Sequence, residues 1–497
     1  MSTQLKAQQG LTNLTPIKVI HILISLAIMV CFKFVPAAEP LTPLGVEVIG
    51  IFLGMLYGWL IANDSFWPSI FGLLFLGLSS YSTVPAVLRD GFGNSTVLLL
   101  FFFFAFTNII SAAGITEYIA RWIVSRKVVQ GRPYLLTLMI FLAMCALVIM
   151  VSCAAATMVI FPLIKEICRL YGVKPGSKWA SITLVGTICV GCSFYMLLPF
   201  KSLPAVVFSS YTQMSGGDSI ALVPYLAIVV VITAITMALL LVLMKFVLRC
   251  DVSVIASSKS MEELPKLSRY QKFIMVFFVT VIVLLLFPSF VPKTFIVSTV
   301  LNNVGATGIL LGAVGVYIMV SLKEGMPAVQ LFSKNIGWSI IFILAAALSI
   351  ADAMAAESTG ISAWLVELIT PVVQGKSPLV LTAVMCVVGM ALTNVANNIA
   401  TAAMLTPIAY SVGIACGANP AALAVCVLQA TNMGMATPPA SAPAAIVHGE
   451  KEWIPGSDAV KYGLVCCSIT LVLILAVIFP AGNLSLPRHS YRIARDV

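Results

Sequence analysis

The sequence predicts an all-α polytopic membrane protein: about 11 transmembrane helices plus two re-entrant hairpins in an inverted repeat, with discontinuous helices. Three observations predict it: an apolar composition, apolar runs of spanning length of which two are interrupted, and three echoes between the chain's halves. Apolar side chains make up 60% of the 497 residues and charged ones 9%, whereas a soluble domain carries roughly a quarter charged. The net charge of +10 resides in short loops, where basic residues set topology, so no nucleic-acid partner is expected. The opening "MSTQLKAQQGLTNLTP" is polar, and no small-residue cleavage site follows the first apolar run, so no cleaved signal peptide is expected. The twelve cysteines lie mostly in runs such as "LVCCSITLVL" and read as small buried hydrophobes. His21, His448 and His489 are far apart and form no metal constellation.

Spanning runs fall at 19–36, 45–62, 66–83, 95–123, 178–212, 221–248, 271–289, 304–321, 336–370, 419–447 and 457–481. Two more, 136–168 and 378–414, are too long for one span and too short for two, and read as re-entrant hairpins. Lys and Arg concentrate in alternate loops, including the basic segment 249–272, which predicts a cytoplasmic N-terminus and an outside C-terminus in the cell (inner) membrane. Asn94, Ser95 and Thr96 read as a helix cap. Asp352 and Glu357 read as boundary charges, with proton relay by Asp352 as the alternative. His448, Glu450 and Lys451 read as interfacial.

"SAAGITEYIARWIV" (111–124) echoes "AESTGISAWLVELI" (356–369), and "SCAAATMVIFP" (152–162) echoes "NNIATAAMLTP" (397–407). Gly114 precedes Pro162 by 48 residues, and Gly360 precedes Pro407 by 47. A third echo pairs "LLPFKSLPAVVF" (197–208) with "ATPPASAPAAIVHG" (436–449). An odd number of spans separates the copies, so they point in opposite directions, the plan of secondary transporters whose site lies where broken helices meet. Polar tips such as "LTNVANNIATAAMLTP" (392–407) fit this plan. Irregular backbone at membrane depth persists only where protein or a watery cavity satisfies it. Helix N-termini there favour anions, and free carbonyls suit cations. Helix–helix glue is the other reading of small polar residues.

At these residues the chain resembles the divalent anion/sodium symporter family, carriers of dicarboxylates, citrate or sulfate, from about residue 45 to 483. Repeat 2 keeps the family's pattern: Asn397-Asn398-Ile399 at the Ser-Asn-Thr position, then Ala400-Thr401-Ala402-Ala403, Pro407, and Ala436-Thr437-Pro438-Pro439 at the second break. The resemblance implies a sodium site from Thr393, Ala396, Asn398, Ala436 and Pro438, with Asn397, Asn398, Thr437 and Pro438 toward the substrate. It also implies a homodimer in lipid and an elevator motion. In it, scaffold helices 19–90 and 213–335 follow the tail 1–18 and flank repeat 1 (91–212). Repeat 2 (336–450) and a last helix and tail (457–497) complete the chain.

Repeat 1 departs from the pattern. Ser152-Cys153-Ala154 stands at its tip, Val148 and Val151 match Thr393 and Ala396, and its break reads "LLPFKSLP" with Lys201 inside. A mid-membrane lysine is costly unless paired and is functional by default; outward snorkelling is the other reading. The expectation is that the Lys201 ammonium replaces repeat 1's sodium beside an anion that Ser152 and Cys153 also face. The implied function is secondary active transport of small divalent anions, C4-dicarboxylate-like carboxylates first, sodium-coupled through repeat 2 or by exchange. The alternatives are a carrier of sulfate, citrate or protons on the same fold, and a channel or sensor. No cofactor is expected beyond the coupling sodium ion. No Walker loop, HExxH or GxSxG stands in a plausible context, so no enzyme is expected.

Overall fold

Glycine, proline and capping residues divide the apolar runs into helices. The computed structural model describes residues 16–60, 66–255, 266–291, 295–320, 327–333, 336–361, 363–364, 367, 371, 375–394, 398–438 and 440–487. Regular structure among the described residues is helical throughout. In chain order the helices are α1 (Pro16–Cys31), α2 (Pro43–Leu60), α3 (Trp67–Leu78), α4 (Val84–Phe92), α5 (Ser95–Ala112), α6 (Ile115–Val124) and α7 (Pro133–Met150). Next come α8 (Cys153–Tyr171), α9 (Lys178–Tyr195), α10 (Ser202–Met214), α11 (Leu222–Val242), α12 (Arg269–Phe290), α13 (Ile296–Val320) and α14 (Ala328–Ser333). The last are α15 (Trp338–Ala355), α16 (Pro378–Thr393), α17 (Asn398–Ala415), α18 (Pro420–Thr431), α19 (Ala442–Gly449), α20 (Gly456–Leu473) and α21 (Phe479–Ser485). Among the described residues, nine helical stretches are long and apolar enough to cross a membrane, and α2, α3, α16 and α18 are shorter apolar helices.

Several sequence expectations change in detail. The run 95–123 is two helices, because Gly114 takes φ +66°, a left-handed turn that glycine adopts without strain. The run 136–168 holds two arms of 18 and 19 residues, α7 and α8, joined by Val151 and Ser152 alone. α13 starts earlier than the run 304–321 and contains a non-helical Gly305. Helix α4 went unread because it is short and amphipathic. Asn94 does cap α5, accepting from Thr96 N at 2.9 Å. The N-terminal tail, 256–265 of the basic loop, most of 362–374, and the C-terminal residues from 488 lie outside the described residues.

The contacts divide the chain into two compact units, residues 1–93 with 338–368, and 94–337 with 369–497. In the first, α1 packs on α2, α2 on α3, and α15 on both α3 and α4. Helix α15, which the sequence grouped with repeat 2, therefore packs with the N-terminal helices. Its alanine stretch, Ala345 to Ala347, is buried all round, and small residues of this kind let apolar helices approach closely. A short turn after α15 meets the start of α2: Thr42 N donates to Thr359 O at 3.1 Å and Thr42 Oγ1 to Ser358 O at 2.9 Å.

In the second unit the two repeats interlock reciprocally. Helix α10, from the broken helix of repeat 1, packs on α17, the arm of the repeat 2 hairpin. Helix α19, from the broken helix of repeat 2, packs on α8, the matching arm of repeat 1. Such exchange is what a two-fold relation between the copies produces. Polar ties cross it: Asn432 Nδ2 donates to Cys192 O at 2.5 Å, Gln429 Nε2 to Ser193 Oγ at 3.3 Å, and Lys165 pairs with Glu450 at 3.0 Å.

Gly360 generates the first prediction. It has φ +65°, and a β-carbon there would lie 2.0 Å from Pro40 O. Gly360→Ala is expected to lower the thermal midpoint of the detergent-solubilised protein, by more than about 1 kcal/mol of stability. Gly312→Ala, with no atom within 4 Å of its added carbon, is expected to leave the midpoint unchanged or raise it.

Candidate functional site

A helix that stops leaves its last carbonyls without amide partners. In repeat 1, α7 stops at Met150, Val151 is extended, and Ser152 begins α8 with its Oγ accepting from Ala155 N at 3.2 Å. The carbonyls of Val148 and Val151 accept instead from Lys201 Nζ, the bond to Val151 at 3.0 Å. Lys201 comes from the second break, where α9 stops at Tyr195 and α10 starts at Ser202. Its side chain is buried, 1% exposed, so it does not snorkel. The ammonium sits over the Tyr195 ring, 4.5 Å from the centroid, with the Phe103 ring at 5.9 Å. No carboxylate pairs with it among the described residues.

Lys201 and Ser152 share a cavity of about 390 Å³ with Val151, Tyr195, Asn108 and Glu117. The two sequence-predicted residues thus meet, while Tyr195, Ser202, Asn108 and Glu117 escaped the sequence reading. Cys153, at the hairpin tip, is not among the residues lining this cavity, and its Sγ lies 3.7 Å from Cys192 Sγ. Asn398, Thr437 and Pro438 do not line this cavity.

Repeat 2 builds its own cluster. Thr393 Oγ1 lies 2.6 Å from both Asn398 Oδ1 and Thr431 O. A hydroxyl has one proton, so one of these close oxygen pairs has none between its members. A β-carbon at Gly434 would lie 2.5 Å from Asn398 Oδ1, 2.9 Å from Thr393 O and 3.2 Å from Thr393 Oγ1. The glycine thus lets these acceptor oxygens, the ligand type that a hard cation takes, pack closely around one point of the chain. By ligand type the residues present fit a sodium ion, which Thr393 and Asn398 would hold. Ala396 and Asn397 lie outside the described residues. Ala436 is buried beside the cluster, and Pro438 is exposed.

Asn394 has a different task. Its Nδ2 donates to Met390 O at 2.7 Å and Met433 O at 3.2 Å, and its Oδ1 accepts from Met435 N at 3.1 Å and Ala436 N at 2.8 Å. These bonds use its amide in full. The Thr437 hydroxyl donates to Asn394 O, so its proton is committed to this clamp, and only lone pairs remain for a ligand. The clamp fastens the second break to the hairpin. The bond from Asn432 to Cys192 O joins this assembly to the first break. Asp352 and Glu357 are exposed at the end of α15, as boundary charges are.

The profile of the citrate transporter family matches residues 15–428. The sodium-dependent dicarboxylate transporter SdcS of Staphylococcus saprophyticus is 27% identical over 147 residues, 30% of this chain and 28% of that protein. The chain therefore spans less than a third of that curated relative's length in the match. Among solved structures, the YdaH transporter of Alcanivorax borkumensis shares the fold with a TM-score of 0.56 at 12% identity, over 93% of this chain and 97% of that one. An all-helical, multi-pass body with broken helices, matched along most of its length by one profile, places this chain in the citrate transporter family, whose members are membrane carriers and not enzymes.

Proposed function

We propose that this protein is a secondary active carrier of small carboxylate dianions of the C4-dicarboxylate type, working by an elevator motion. It couples to sodium through repeat 2 and carries a built-in cation, Lys201, in repeat 1. The observation that carries this reading is the seat of the ammonium. Lys201 Nζ bonds the carbonyls of Val148 and Val151, the positions matching Thr393 and Ala396 of repeat 2 by sequence register. The valine side chains offer a sodium ion nothing, but their main-chain oxygens hold an ammonium. A resident charge at the cavity wall attracts an anion without being carried as a co-ion.

Repeat 2 supports the coupling half of the reading. Its oxygen cluster at Gly434 suits sodium, and the matched segment of SdcS belongs to a protein named as sodium-dependent. Bound sodium would supply positive charge within the same compact unit, with Thr393 and Asn398 holding it. The cavity wall also carries Glu117 against the single ammonium. That balance leaves the wall without net charge, so neutralising a dianion depends on co-transported cations.

Uptake into proteoliposomes tests the reading, with labelled succinate, citrate and sulfate, with and without a sodium gradient. Succinate is expected to enter in a saturable, sodium-stimulated manner with counterflow. Channel-like linear flux or indifference to sodium would contradict the reading. Lys201→Met is expected to raise the half-saturating succinate concentration about tenfold, or about 1.4 kcal/mol, and to change the sodium-to-substrate ratio. Both quantities unchanged would remove the lysine from the mechanism. Gly434→Ala places a carbon among the three oxygens, and Thr393→Val removes one of them. Each is expected to raise the half-activating sodium concentration about tenfold or more, measured as the sodium dependence of initial rate.

A further inference from the structure

The two breaks can be aligned on the Ser-x-Pro that starts each second helix. Ser202 and Pro204 then match Ser441 and Pro443, and Tyr195 matches Gly434, each seven residues before its serine. In the structure each serine contacts the residue seven before it, through a main-chain oxygen in repeat 2 and a ring hydroxyl in repeat 1. Ser441 Oγ donates to Gly434 O at 2.7 Å, and Ser202 Oγ lies 2.8 Å from the Tyr195 hydroxyl. At Gly434 the missing side chain lets Thr393 and Asn398 oxygens pack within 2.5 to 3.2 Å of where a β-carbon would stand. At the matching place in repeat 1 stands an aromatic ring with the ammonium 4.5 Å from its centroid.

We propose that Tyr195 is the positioning residue for the Lys201 ammonium: its ring covers the ammonium in repeat 1, at the position where repeat 2 has Gly434 and its packed oxygens. The inference rests on the reading of Lys201 as a built-in cation. An ammonium has three N–H donors. Val148 and Val151 accept from it on one side, and the ring face, negative by its quadrupole, covers it on another. The remaining direction opens to the cavity that both Lys201 and Tyr195 line. The Ser202 contact fixes the ring to the residue next to Lys201, so charge and ring are held at one point of the chain. The pair thereby fills, with a fixed cation and its cap, a place that in repeat 2 admits an exchangeable ion.

The test is a double-mutant cycle on succinate uptake in proteoliposomes. Tyr195→Leu is expected to raise the half-saturating succinate concentration about tenfold while changing maximal rate little. Half-activation by sodium should stay in place, because repeat 2 is intact. Tyr195→Phe keeps the ring and is expected to restore most of the affinity. Combined with Lys201→Met, Tyr195→Leu is expected to add almost nothing, since the two residues act as one unit. Full additivity of the two losses, or equal losses for Phe and Leu at position 195, overturns the proposal. A silent Lys201→Met instead overturns the underlying reading, whatever Tyr195 does. If the leucine variant fails to insert, Tyr195→Met replaces it in the same cycle, with the same outcomes.

Discussion

Two helices of each repeat stop inside an apolar body, and each stop frees carbonyls that no next turn can satisfy. The solutions differ between the repeats. In the second, the Asn394 amide bonds both the end of its own helix and the loop that follows Thr431. In the first, the Lys201 ammonium bonds the carbonyls of Val148 and Val151. Each device ties a hairpin tip to the break of the broken helix in the same repeat. The cavity lies beside the Lys201 tie, and the oxygen cluster packs against Gly434 next to the Asn394 tie.

Around these ties the packing is close, and several buried hydroxyls are satisfied locally. Buried hydroxyls bond back to the preceding turn, as Thr157 does to Cys153 O at 2.7 Å and Thr187 to Thr183 O at 2.6 Å, so they need no distant partner. Glycine permits approach where it is needed: Gly463 sits where a β-carbon would be 2.9 Å from Ala436 Cα. Reciprocal packing of α10 on α17 and of α19 on α8 then joins the repeats into one compact unit. Few of its internal ties are charged: among the described residues Lys165 pairs with Glu450, mostly buried, and Arg121 with Glu166, about half exposed.

The contrast between the repeats has an electrostatic meaning. An oxygen cluster is a site whose charge depends on occupancy, whereas a lysine amine stays attached to the protein. In the proposed reading the carrier has one of each, an attached group on one side and an exchangeable ion on the other. The Tyr195 ring belongs to the attached side, and the oxygens packed at Gly434 to the exchangeable one.

Much of this was legible in the amino acids alone. Hydrocarbon tolerates so few polar groups that apolar runs announce helices, and polar residues within such runs announce breaks; so Ser152, Lys201, Thr393 and Asn398 stood out. The echoes of 111–124 in 356–369 and of 152–162 in 397–407 exposed the internal duplication. What stayed hidden was the assignment of partners. Val148 and Val151 looked inert because their side chains are, yet their carbonyls seat the ammonium, and a main-chain oxygen has no letter in a sequence. Asn394 and Asn398 are the same residue four positions apart, but one is a saturated clamp and the other faces the oxygen cluster. Tyr195 and Gly434 looked like an ordinary aromatic and an ordinary small residue. Chain chemistry by itself determined the membrane fold, its duplication and which polar groups had to be accounted for. Only the tertiary structure decided which donor met which acceptor, because hydrogen-bonding capacity is local to a residue while its use depends on segments brought together from tens of residues away.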